Sequence, residues 1–542
     1  MCIRDSYNHA QTVWREFKCK TLRDYLKLYN KSDVLILADV FENFRNVCMK
    51  EYKLDPAWYY TAPELAWDAA LKYTKVSLEL LSDIDMLFMV KQGISGGICT
   101  APNRYAKANN RYMKTYDPSE PSKFITYLDA DNLYGWAMSQ PLPTHGFKWM
   151  GDDEFEGWRN MPNGESCILE VDMEYPKELH DLHNDYPLAP ENIIPPDSNV
   201  KKLIPNLNNK EKYVVHHQTL KIYESLGLKV TKVHKGIKFY ERPWLKPYID
   251  KNTALRTKAT NNFEKDFFKL MNNSAFGKTM QNVEKYVDLK LVCDREKAIK
   301  LAAKPNYYRT TIFDENLAAI HMKRTKVFYD KPIYLGMAIL DLSKILIYNF
   351  HYNYIKKKYG DKAKLLYSDT DSLIYEIETE DFYADIARDV DLWFDTSEYP
   401  EGLPLKAGIN KKVIGMFKDE ACGKQIEEFV GLRAKLYSYK IYNEEEPHKK
   451  CKGIKKNVVK NGITHDDYKN CLFTKAEQLR KMVILRSDKH DIYTEEVNKV
   501  ALSADDDKRI IMKDGISTLA YDHYLLKDKK WLALQIKHHL II

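Results

Sequence analysis

Residues 365–377, LLYSDTDSLIYEI, show the clearest alternation of apolar and polar positions in the chain. Apolar side chains recur on both sides of a short acidic centre, which predicts two strands that fold back on each other. The tip of this hairpin then carries Asp369 and Asp371. Because these residues are two apart on extended backbone, both carboxylates can lie on one face.

Two like charges at this spacing need a cation beside them. Oxygen ligands with no His or Cys nearby favour Mg²⁺ or Mn²⁺ over zinc. A second apolar run, residues 124–128, predicts a short strand that ends at Asp129 and supplies a further carboxylate. A plain hairpin in which the aspartates only favour the turn is the alternative interpretation.

Three longer segments have apolar residues at roughly helical spacing, residues 22–44, 253–280 and 334–348. The last is the most apolar long segment of the chain. Because Asp341 and Lys344 interrupt it, we expect a buried helix there and no membrane span.

The helix predicted at 253–280 carries polar residues on one stripe. Lys265, Lys269 and Asn273 recur every four residues, and Phe276 follows at the end of the stripe. Two cations and an amide in this arrangement suit a triphosphate that lies along the helix under a stacking ring. An ordinary amphipathic helix with solvated lysines is the alternative.

Basic residues cluster more than the total charge suggests. The chain has 84 Lys and Arg against 77 Asp and Glu, a net charge of +7, which permits an anionic partner without requiring one. Residues 447–460 contain six lysines, Lys452 among them, and no acid. Just upstream, Lys435 and Tyr437 are expected on one face of a strand. With 38 tyrosines in the chain, this composition suits phosphate contact and base stacking, although a solvated lysine loop is the simpler interpretation.

The glycine pair Gly96-Gly97 lies in the sequence GISGG. No Lys-Ser or Lys-Thr follows, so the segment is not a phosphate-binding loop of the common kind. We expect the pair to let the backbone approach another chain closely.

Length and cysteine content limit the domain organisation and the cellular location that we expect for the protein. A chain of 542 residues exceeds what one hydrophobic core supports, so several domains are expected. Nine scattered cysteines without a C-x-x-C pair predict reduced thiols and an intracellular location, whether nuclear, cytoplasmic or in a viral factory.

Four of these motifs, in this order, resemble those of the family B DNA polymerases, and most of all the protein-primed branch of viruses, linear plasmids and self-synthesising transposons. The pattern D-x-x-S-L-Y-P is found as DADNLYG at 129–135, with glycine in place of proline. The pattern K-x-x-x-N-S-x-Y-G is found as KLMNNSAFG at 269–277, with phenylalanine in place of tyrosine. Y-x-D-T-D-S is YSDTDS at 367–372, and K-x-Y is KLY at 435–437.

The resemblance implies DNA-directed DNA synthesis by two-metal nucleotidyl transfer, with deoxynucleoside triphosphates and a DNA primer-template as partners. Asp129 and Asp371 are then the ligands of two Mg²⁺ or Mn²⁺ ions, and Asp369 is auxiliary. The implied nucleotide-binding residues are Tyr134, Lys265, Lys269, Asn273 and Phe276. The implied DNA contacts are Gly96, Gly97, Lys435, Tyr437 and Lys452. In the protein-primed branch a terminal protein is a further partner.

The implied fold is an α+β right hand with palm, fingers and thumb, two insertions and a remnant of an exonuclease domain. The predicted segments are the exonuclease remnant at 1–85, the palm at 86–140 and 331–443, a terminal-protein-region-like insertion at 141–245, the fingers at 246–281, a second insertion at 282–330, and the thumb and tail at 444–542.

Tyr29 and Asp33 lie one helical turn apart and are similar to the Y-x-x-x-D motif that closes the family's 3′–5′ exonuclease site. That site also needs a D-x-E strand, and none precedes residue 33. We therefore expect only the last part of a proofreading domain, without nuclease activity.

Two other classes of function stay open at this stage. A reverse transcriptase or RNA polymerase also has a two-carboxylate palm, but a lysine helix between the two aspartate motifs favours family B. A catalytically inactive, DNA-binding remnant of a mobile-element polymerase is the non-enzymatic alternative, and the intact carboxylates argue against it.

Overall fold

A computed structural model describes residues 3–196, 198–488 and 491–527. Its helices are α1 (Ile3–Glu16), α2 (Leu22–Tyr52), α3 (Ala62–Thr74), α4 (Ile84–Gly93), α5 (Leu133–Met138), α6 (His180–His183), α7 (His217–Ser225), α8 (Lys246–Lys258), α9 (Asn262–Thr279), α10 (Arg295–Ala302), α11 (Ile333–Tyr348), α12 (Lys357–Tyr359), α13 (Phe382–Ile386), α14 (Val390–Trp393), α15 (Lys456–Gly462) and α16 (His465–Thr474).

The strands are β1 (Cys99–Thr100), β2 (Tyr105–Lys107), β3 (Lys123–Ala130), β4 (Leu142–Trp149), β5 (Glu165–Glu174), β6 (Glu191–Ile193), β7 (Lys202–Ile204), β8 (Lys210–His216), β9 (Lys229–Arg242), β10 (Asp288–Val292), β11 (Tyr307–Asp314), β12 (Leu317–Met322), β13 (Ala363–Asp369), β14 (Ser372–Glu378), β15 (Phe394–Asp395), β16 (Phe417–Asp419), β17 (Ile426–Arg433), β18 (Leu436–Ile441), β19 (His448–Cys451), β20 (Gln478–Asp488), β21 (Asp491–Leu502), β22 (Ile510–Ile511) and β23 (Thr518–Leu519).

A six-stranded sheet in the order β1-β13-β14-β3-β16-β15 is the centre of the molecule. It brings together strands that are distant in sequence, because β14 pairs antiparallel with β3 and β1 pairs with β13. Both faces are buried. Phe124 and Leu128 of β3 pack in one hydrophobic core, whereas Ile125 packs in another on the opposite face. This two-sided burial explains why β3 has an almost continuous apolar sequence.

Helix α11 is buried along almost its whole length, which confirms the buried helix predicted at 334–348. It continues through a π-helical segment, Asn349–Lys356, whose residues Phe350 and Ile355 join the core beside β3 and β14. By length and composition the helical stretch Ile333–Lys362 could cross a membrane, but 83% of its most apolar window is buried inside the protein.

Smaller sheets flank the central one. A four-stranded sheet, β4-β9-β5-β8, lies within residues 141–245, and a three-stranded sheet, β10-β12-β11, lies within residues 282–330. A further four-stranded sheet has the strand order β19-β18-β17-β2. Helices α15 and α16 and the long hairpin β20–β21 share a hydrophobic core with this sheet. After α16, the described part of the chain is mainly β-structure.

The single helix predicted at 253–280 is wrong, because the structure has two helices there. Helix α8 ends at Lys258 and α9 begins at Asn262, with an extended segment between them. The side chain of Asn261 accepts a hydrogen bond from the backbone N–H of Glu264 at 2.8 Å. Asparagine at this position satisfies a free helical N–H and so favours a new helix start over a continuous helix.

Candidate active site

The predicted acidic hairpin is formed by β13 and β14, with Thr370 and Asp371 in the turn. Thr370 has a positive φ of 67°, and the backbone N–H of Asp371 donates to the carbonyl of Asp369 at 2.8 Å. Strand β14 pairs with β3 so that Ser372 lies opposite Asp129. The backbone N–H of Ala130 also donates to the carbonyl of Asp371 at 2.8 Å. The fold therefore brings Asp129 and Asp371, 242 positions apart in the sequence, to one edge of the central sheet.

The environment of the two carboxylates disfavours their charged forms. Burial, followed by the charge of Asp371 and then that of Glu420, raises the pKa of Asp129 to about 8. Burial also raises the pKa of Asp371, and the charge of Lys269 opposes the rise at both groups. Among the described residues, neither carboxylate has a basic side chain within ion-pair distance. The pair is therefore a strong site for a cation supplied from outside the chain.

Glu420 is a third acidic group that sequence reasoning missed. It lies one residue beyond β16, and its backbone N–H donates to the carbonyl of Tyr127 on β3 at 2.8 Å. Its charge acts on both Asp129 and Asp371. Its surroundings in the sequence, FKDEACG, carry no metal-ligand spacing, and only the pairing of β16 with β3 reveals its position.

Hard oxygen donors at this edge fit a magnesium or manganese ion. No cluster of three or more His, Cys, Asp and Glu side chains in the described part of the chain forms a complete metal cage. Mg²⁺ is typically held by one or two carboxylates together with substrate phosphates and water, and does not need such a cage. Asp129 and Asp371 thus match the expected donor set, with the remaining ligands left to substrate.

Asp369 differs from the other two aspartates because it has a basic partner. The Nζ of Lys435 lies 3.3 Å from its Oδ1. Lys435 was expected on a strand, which is wrong: it occupies the turn between β17 and β18 with a positive φ of 62°. From this turn the lysine reaches across to the hairpin tip.

Tyr134 and Phe276 form a pair of rings beside the carboxylates. Their ring centroids are 4.5 Å apart, and their planes are inclined by 32°. Tyr134 lies on the short helix α5 that follows β3, and burial, with the charges of Asp371 and Asp369, raises its pKa to about 12. Asn132 caps the start of α5, and its side chain accepts a hydrogen bond from the backbone N–H of Gly135 at 3.2 Å. A Cβ at Gly135 would overlap that asparagine, so the glycine found in place of the family's proline fits this local cap.

The lysine stripe lies on α9 as predicted, with Lys269 exposed and Lys265 half-buried. Lys269 acts electrostatically on both Asp129 and Asp371. One turn further along, Asn273 has a buried side-chain oxygen without a hydrogen-bond partner in the structure. The stripe, the carboxylates and the ring pair therefore face one another.

A cleft of about 1230 Å³ opens in front of the carboxylates. Its wall carries Tyr127, Tyr134, Lys435 and Tyr437, and its basic side is formed by Lys449, Lys450, Lys452, Lys456 and Lys460. The six-lysine segment, expected to be a loop, comprises strand β19, a turn and helix α15. Most of these lysines project into the cleft, but Lys449 donates to the carbonyls of Ile463 and Lys460 at 2.6 and 3.1 Å and so closes the end of α15.

Two of the predicted DNA contacts have structural roles. Tyr437 is almost fully buried, and its hydroxyl lies 3.1 Å from that of Tyr127. A Cβ at Gly97 would overlap the Thr370 side chain, so this glycine makes room for the hairpin tip. At Gly96, in contrast, a Cβ would meet nothing within 4 Å, and Lys452 is exposed in the turn before α15. These two positions remain free to meet another molecule.

Tyr29 and Asp33 are far from completing a nuclease site. Both lie on α2 and are exposed, Tyr29 to 58%. Neither makes a side-chain hydrogen bond or ion pair with another described residue, and Asp33 belongs to no cluster of three or more His, Cys, Asp and Glu side chains in the described part of the chain. The Y-x-x-x-D motif therefore contributes one carboxylate, that of Asp33, to which the described structure adds no other metal ligands.

Comparison with known proteins identifies the family. The model of the DNA polymerase type B family, organellar and viral, matches residues 4–357, more than half of the chain. No curated protein sequence matches. Two solved structures of phi29 DNA polymerase share the fold at 15% identity. Its ternary complex with primer-template DNA and incoming nucleotide aligns with a TM-score of 0.50 over 82% of this chain and 68% of that one. The binary complex with primer-template DNA gives 0.51, over 84% and 70%.

The right-hand polymerase fold expected from the motifs is thereby confirmed. The region that matches the family model includes the motifs at 129–135 and 269–277 but ends before the acidic hairpin. In the structure, the hairpin pairs with β3 and so lies at the same edge of the sheet as Asp129. This chain belongs to the type B DNA polymerases, organellar and viral, and is a DNA-directed DNA polymerase.

Proposed function

We propose that this polymerase extends a primer 3′-hydroxyl by two-metal nucleotidyl transfer at Asp129 and Asp371. The observation that carries the proposal is the meeting of these two carboxylates, without any basic ion-pair partner among the described residues, at the mouth of a lysine-lined cleft. Bound Mg²⁺ or Mn²⁺ supplies activation of the attacking hydroxyl and neutralisation of the leaving pyrophosphate. Asp129 and Asp371 would hold the ions, and Asp369, paired with Lys435, would assist.

The lysine stripe would complement the triphosphate. Lys269 acts on both carboxylates from α9, so its charge lies where negative charge builds up during transfer. Lys265, one helical turn earlier, and Asn273, one turn later, extend the contact along the helix. A fixed cation at this point stabilises both the bound substrate and the transition state.

The Tyr134–Phe276 pair would select the sugar and support the base. Phe276 covers one side of the Tyr134 ring at a centroid distance of 4.5 Å, which limits the rotation of the tyrosine. A ring held beside the carboxylates leaves little room for a 2′-hydroxyl. This arrangement favours deoxynucleotides over ribonucleotides.

The basic wall of the cleft would hold the primer-template duplex. Lys450, Lys452, Lys456 and Lys460 line it without an ion-pair partner in the described part of the chain. Phosphate contacts of this kind position a duplex without reading its sequence. The phi29 polymerase structures that share the fold contain primer-template DNA, which supports this use of the cleft.

We further propose protein-primed replication of a viral or mobile-element genome in a reducing intracellular compartment. The support is the resemblance to the protein-primed branch, together with the two insertions at 141–245 and 282–330 where that branch has its terminal-protein regions. The described cysteines are free thiols, which agrees with a reducing setting.

Primer extension tests the proposal. Purified protein with Mg²⁺ and deoxynucleoside triphosphates should extend a DNA primer on a DNA template and extend it far less on the same sequence in RNA. A parallel reaction with a candidate terminal protein and no primer tests protein priming. Better extension on RNA would favour a reverse transcriptase and contradict the proposal.

A further inference from the structure

A second basic groove lies between helix α8 and the loop 410–415 that leads into β16. Its volume is about 800 Å³, within the range of small-molecule sites. The lysines that line it are Lys246, Lys258, Lys411 and Lys412. Asp250 is the one acid in the lining, and its Oδ2 is 2.6 Å from the Nζ of Lys246. The other three lysines have no ion-pair partner among the described residues, so the groove is strongly positive.

The loop that presents Lys411 and Lys412 is held in a fixed and costly conformation. Asn410 and Lys412 both have positive φ, 60° and 57°, which is uncommon outside glycine and concentrates at functional sites. The Asn410 side chain donates to two backbone carbonyls at 3.0 Å each. The backbone N–H of Lys412 donates to Asp395 at 2.8 Å. The backbone that carries the two lysines is thus held in place by the protein itself.

The same loop is joined to the strand end that carries Asp129. The N–H of Gly415 donates to the carbonyl of Asp131, and the N–H of Asp131 donates to the carbonyl of Met416, both at 2.8 Å. Burial, followed by the charges of Arg256, Lys411 and Lys265, lowers the pKa of Lys412. Because Lys265 belongs to the α9 stripe, the groove and the stripe are within electrostatic reach of each other.

Several cations gathered around one groove repel one another unless an anion joins them. We propose that this groove is an outer polyphosphate subsite, which binds the triphosphate of the incoming nucleotide before transfer and the pyrophosphate after it. In the transfer the primer 3′-hydroxyl gives up its proton to solvent, its oxygen bonds to the α-phosphorus, the bond from that phosphorus to the bridging oxygen breaks, and pyrophosphate leaves. The inference rests on the proposed function and extends its nucleotide site outward from Lys265.

A single-stranded template is the competing occupant, and the lining argues against it. Single-strand sites combine cations with free aromatic faces on which bases stack. The one aromatic residue in the lining, Trp136, is half-buried and packed in the core, and Gly415 lies against its ring so closely that a Cβ there would overlap it. The groove therefore offers charge without a stacking surface, as a polyphosphate requires.

Calorimetric titration with inorganic tripolyphosphate in EDTA tests the subsite without catalysis or metal. The double variant Lys411→Gln with Lys412→Gln should bind tripolyphosphate about tenfold more weakly than the parent. The reason is that neutral glutamine cannot make the two charge-assisted hydrogen bonds to phosphate. The matched control is Lys297→Gln with Lys300→Gln on α10, which makes the same charge change on an exposed helix and should bind like the parent. Equal binding by the groove variant and the parent would overturn the proposal.

Kinetic measurements distinguish a failure of the groove assignment from a failure of the proposed function. The groove variant should raise the KM for deoxynucleotides and for pyrophosphate in the reverse reaction several-fold, with kcat nearly unchanged, since the variant weakens the ground state and the transition state equally. Its affinity for primer-template with a long template overhang should stay within twofold. Loss of overhang affinity with unaltered nucleotide KM would assign the groove to the template instead. If the parent binds tripolyphosphate but extends no primer, the proposed function fails while the groove assignment stands.

Discussion

At the scale of single residues, the site depends on close fits that allow little variation. Gly97 leaves room for Thr370 at the hairpin tip, and Gly135 leaves room for the Asn132 cap that starts α5. Helix α5 in turn holds Tyr134 against Phe276. The carboxylates, the ring pair and the hairpin tip are therefore fixed by side chains that do no chemistry themselves.

Tyr134 gives the sharpest prediction for substrate choice. Tyr134→Ala should admit ribonucleotides much better than the parent, because the ring no longer fills the space beside the sugar. Tyr134→Phe keeps the ring and should discriminate like the parent, since no hydrogen bond of the Tyr134 hydroxyl is needed for the packing on Phe276. The measurement is the ratio of kcat/KM for a deoxynucleotide and its ribonucleotide. An alanine variant as strict as the parent would show that Tyr134 does not exclude the 2′-hydroxyl.

The raised pKa of Asp129, about 8 against an ordinary 3.8, predicts how the metal-free protein responds to pH. Between these values the folded protein binds more protons than the unfolded chain, so its free energy of unfolding should fall as pH rises from about 4 to about 8. Asp129→Asn removes the contribution of Asp129 to this dependence and should stabilise the protein at pH 8 by on the order of 2 kcal/mol, with little effect near pH 4.

Chemical denaturation in EDTA, at a series of pH values, measures this effect. Added Mg²⁺ should restore stability to the parent at pH 8 and leave Asp129→Asn almost unchanged. A parent whose metal-free stability is flat between pH 4 and 8 would contradict the assigned environment of Asp129.

At the scale of elements, the cleft combines a sheet edge, a helix and the C-terminal lysine segment. Strand β3, the turn between β13 and β14, and the residue after β16 supply the acids. Helix α9 supplies Lys269, and β19, α15 and the turn between them supply the opposing lysines. Buried contacts hold this lysine-bearing region together. Glu428 of β17, in the same four-stranded sheet as β19, accepts hydrogen bonds from His465 at 3.0 Å and Lys469 at 2.6 Å, both on α16. Acid and base therefore face each other across a defined cleft.

DNA binding through the lysine segment should depend strongly on salt, because each phosphate neutralised releases a counterion. Glutamine at Lys450, Lys452, Lys456 and Lys460 should reduce the slope of log affinity against log salt by up to about 3.6, at roughly 0.9 for each phosphate that is no longer neutralised. Lys449 is left unchanged because it closes the end of α15. Filter binding of a primer-template at several salt concentrations gives the slope. A slope equal to that of the parent would place the duplex elsewhere.

Sequence patterns predicted the elements that depend on residues close to one another in the sequence. The alternation around the DTD tip and the apolar run before Asp129 predicted the correct strands, and the buried helix at α11 followed from its composition. Contacts between segments that are distant in the sequence could not be predicted from these patterns. Glu420, for example, lies near Asp129 and Asp371 only because β16 pairs with β3. The K-x-Y motif lies beside the hairpin, but the turn that carries Lys435 was not predicted, and the burial of Tyr437 depends on contacts such as that with Tyr127, 310 positions away.

At the scale of the whole molecule, the N-terminal helices differ from the rest of the chain. Apolar residues of α2 at 22–41 are largely exposed, including Leu35 at 67% and Leu37 at 66%. The C-terminal end of α2, in contrast, packs through Cys48 and Tyr52 into the core shared with α3, α8 and α9. The first part of α2 therefore presents an exposed hydrophobic surface, and a surface of this kind favours association with another protein chain.

The Tyr29–Asp33 pair should not support nuclease activity, because a two-metal nuclease needs several converging carboxylates and, in the described part of the chain, Asp33 belongs to no cluster of three or more His, Cys, Asp and Glu side chains. The measurement uses an end-labelled primer with a 3′ mismatch, incubated with Mg²⁺ and no nucleotides. We expect no shortening with the parent or with Asp33→Ala. Shortening that disappears in Asp33→Ala but persists in Asp371→Ala would reveal a working nuclease.

The central claim is that Asp129 and Asp371 together form the polymerising centre, and single-turnover incorporation of one deoxynucleotide tests it most directly. With Mg²⁺ and a saturating primer-template, Asp129→Asn and Asp371→Asn should each abolish incorporation while primer-template affinity stays within a few-fold, because both variants keep the shape and the lysine wall of the cleft. Asp369→Asn, which removes an acid paired with Lys435, should be milder. Incorporation by Asp129→Asn or Asp371→Asn at the rate of the parent would contradict the account.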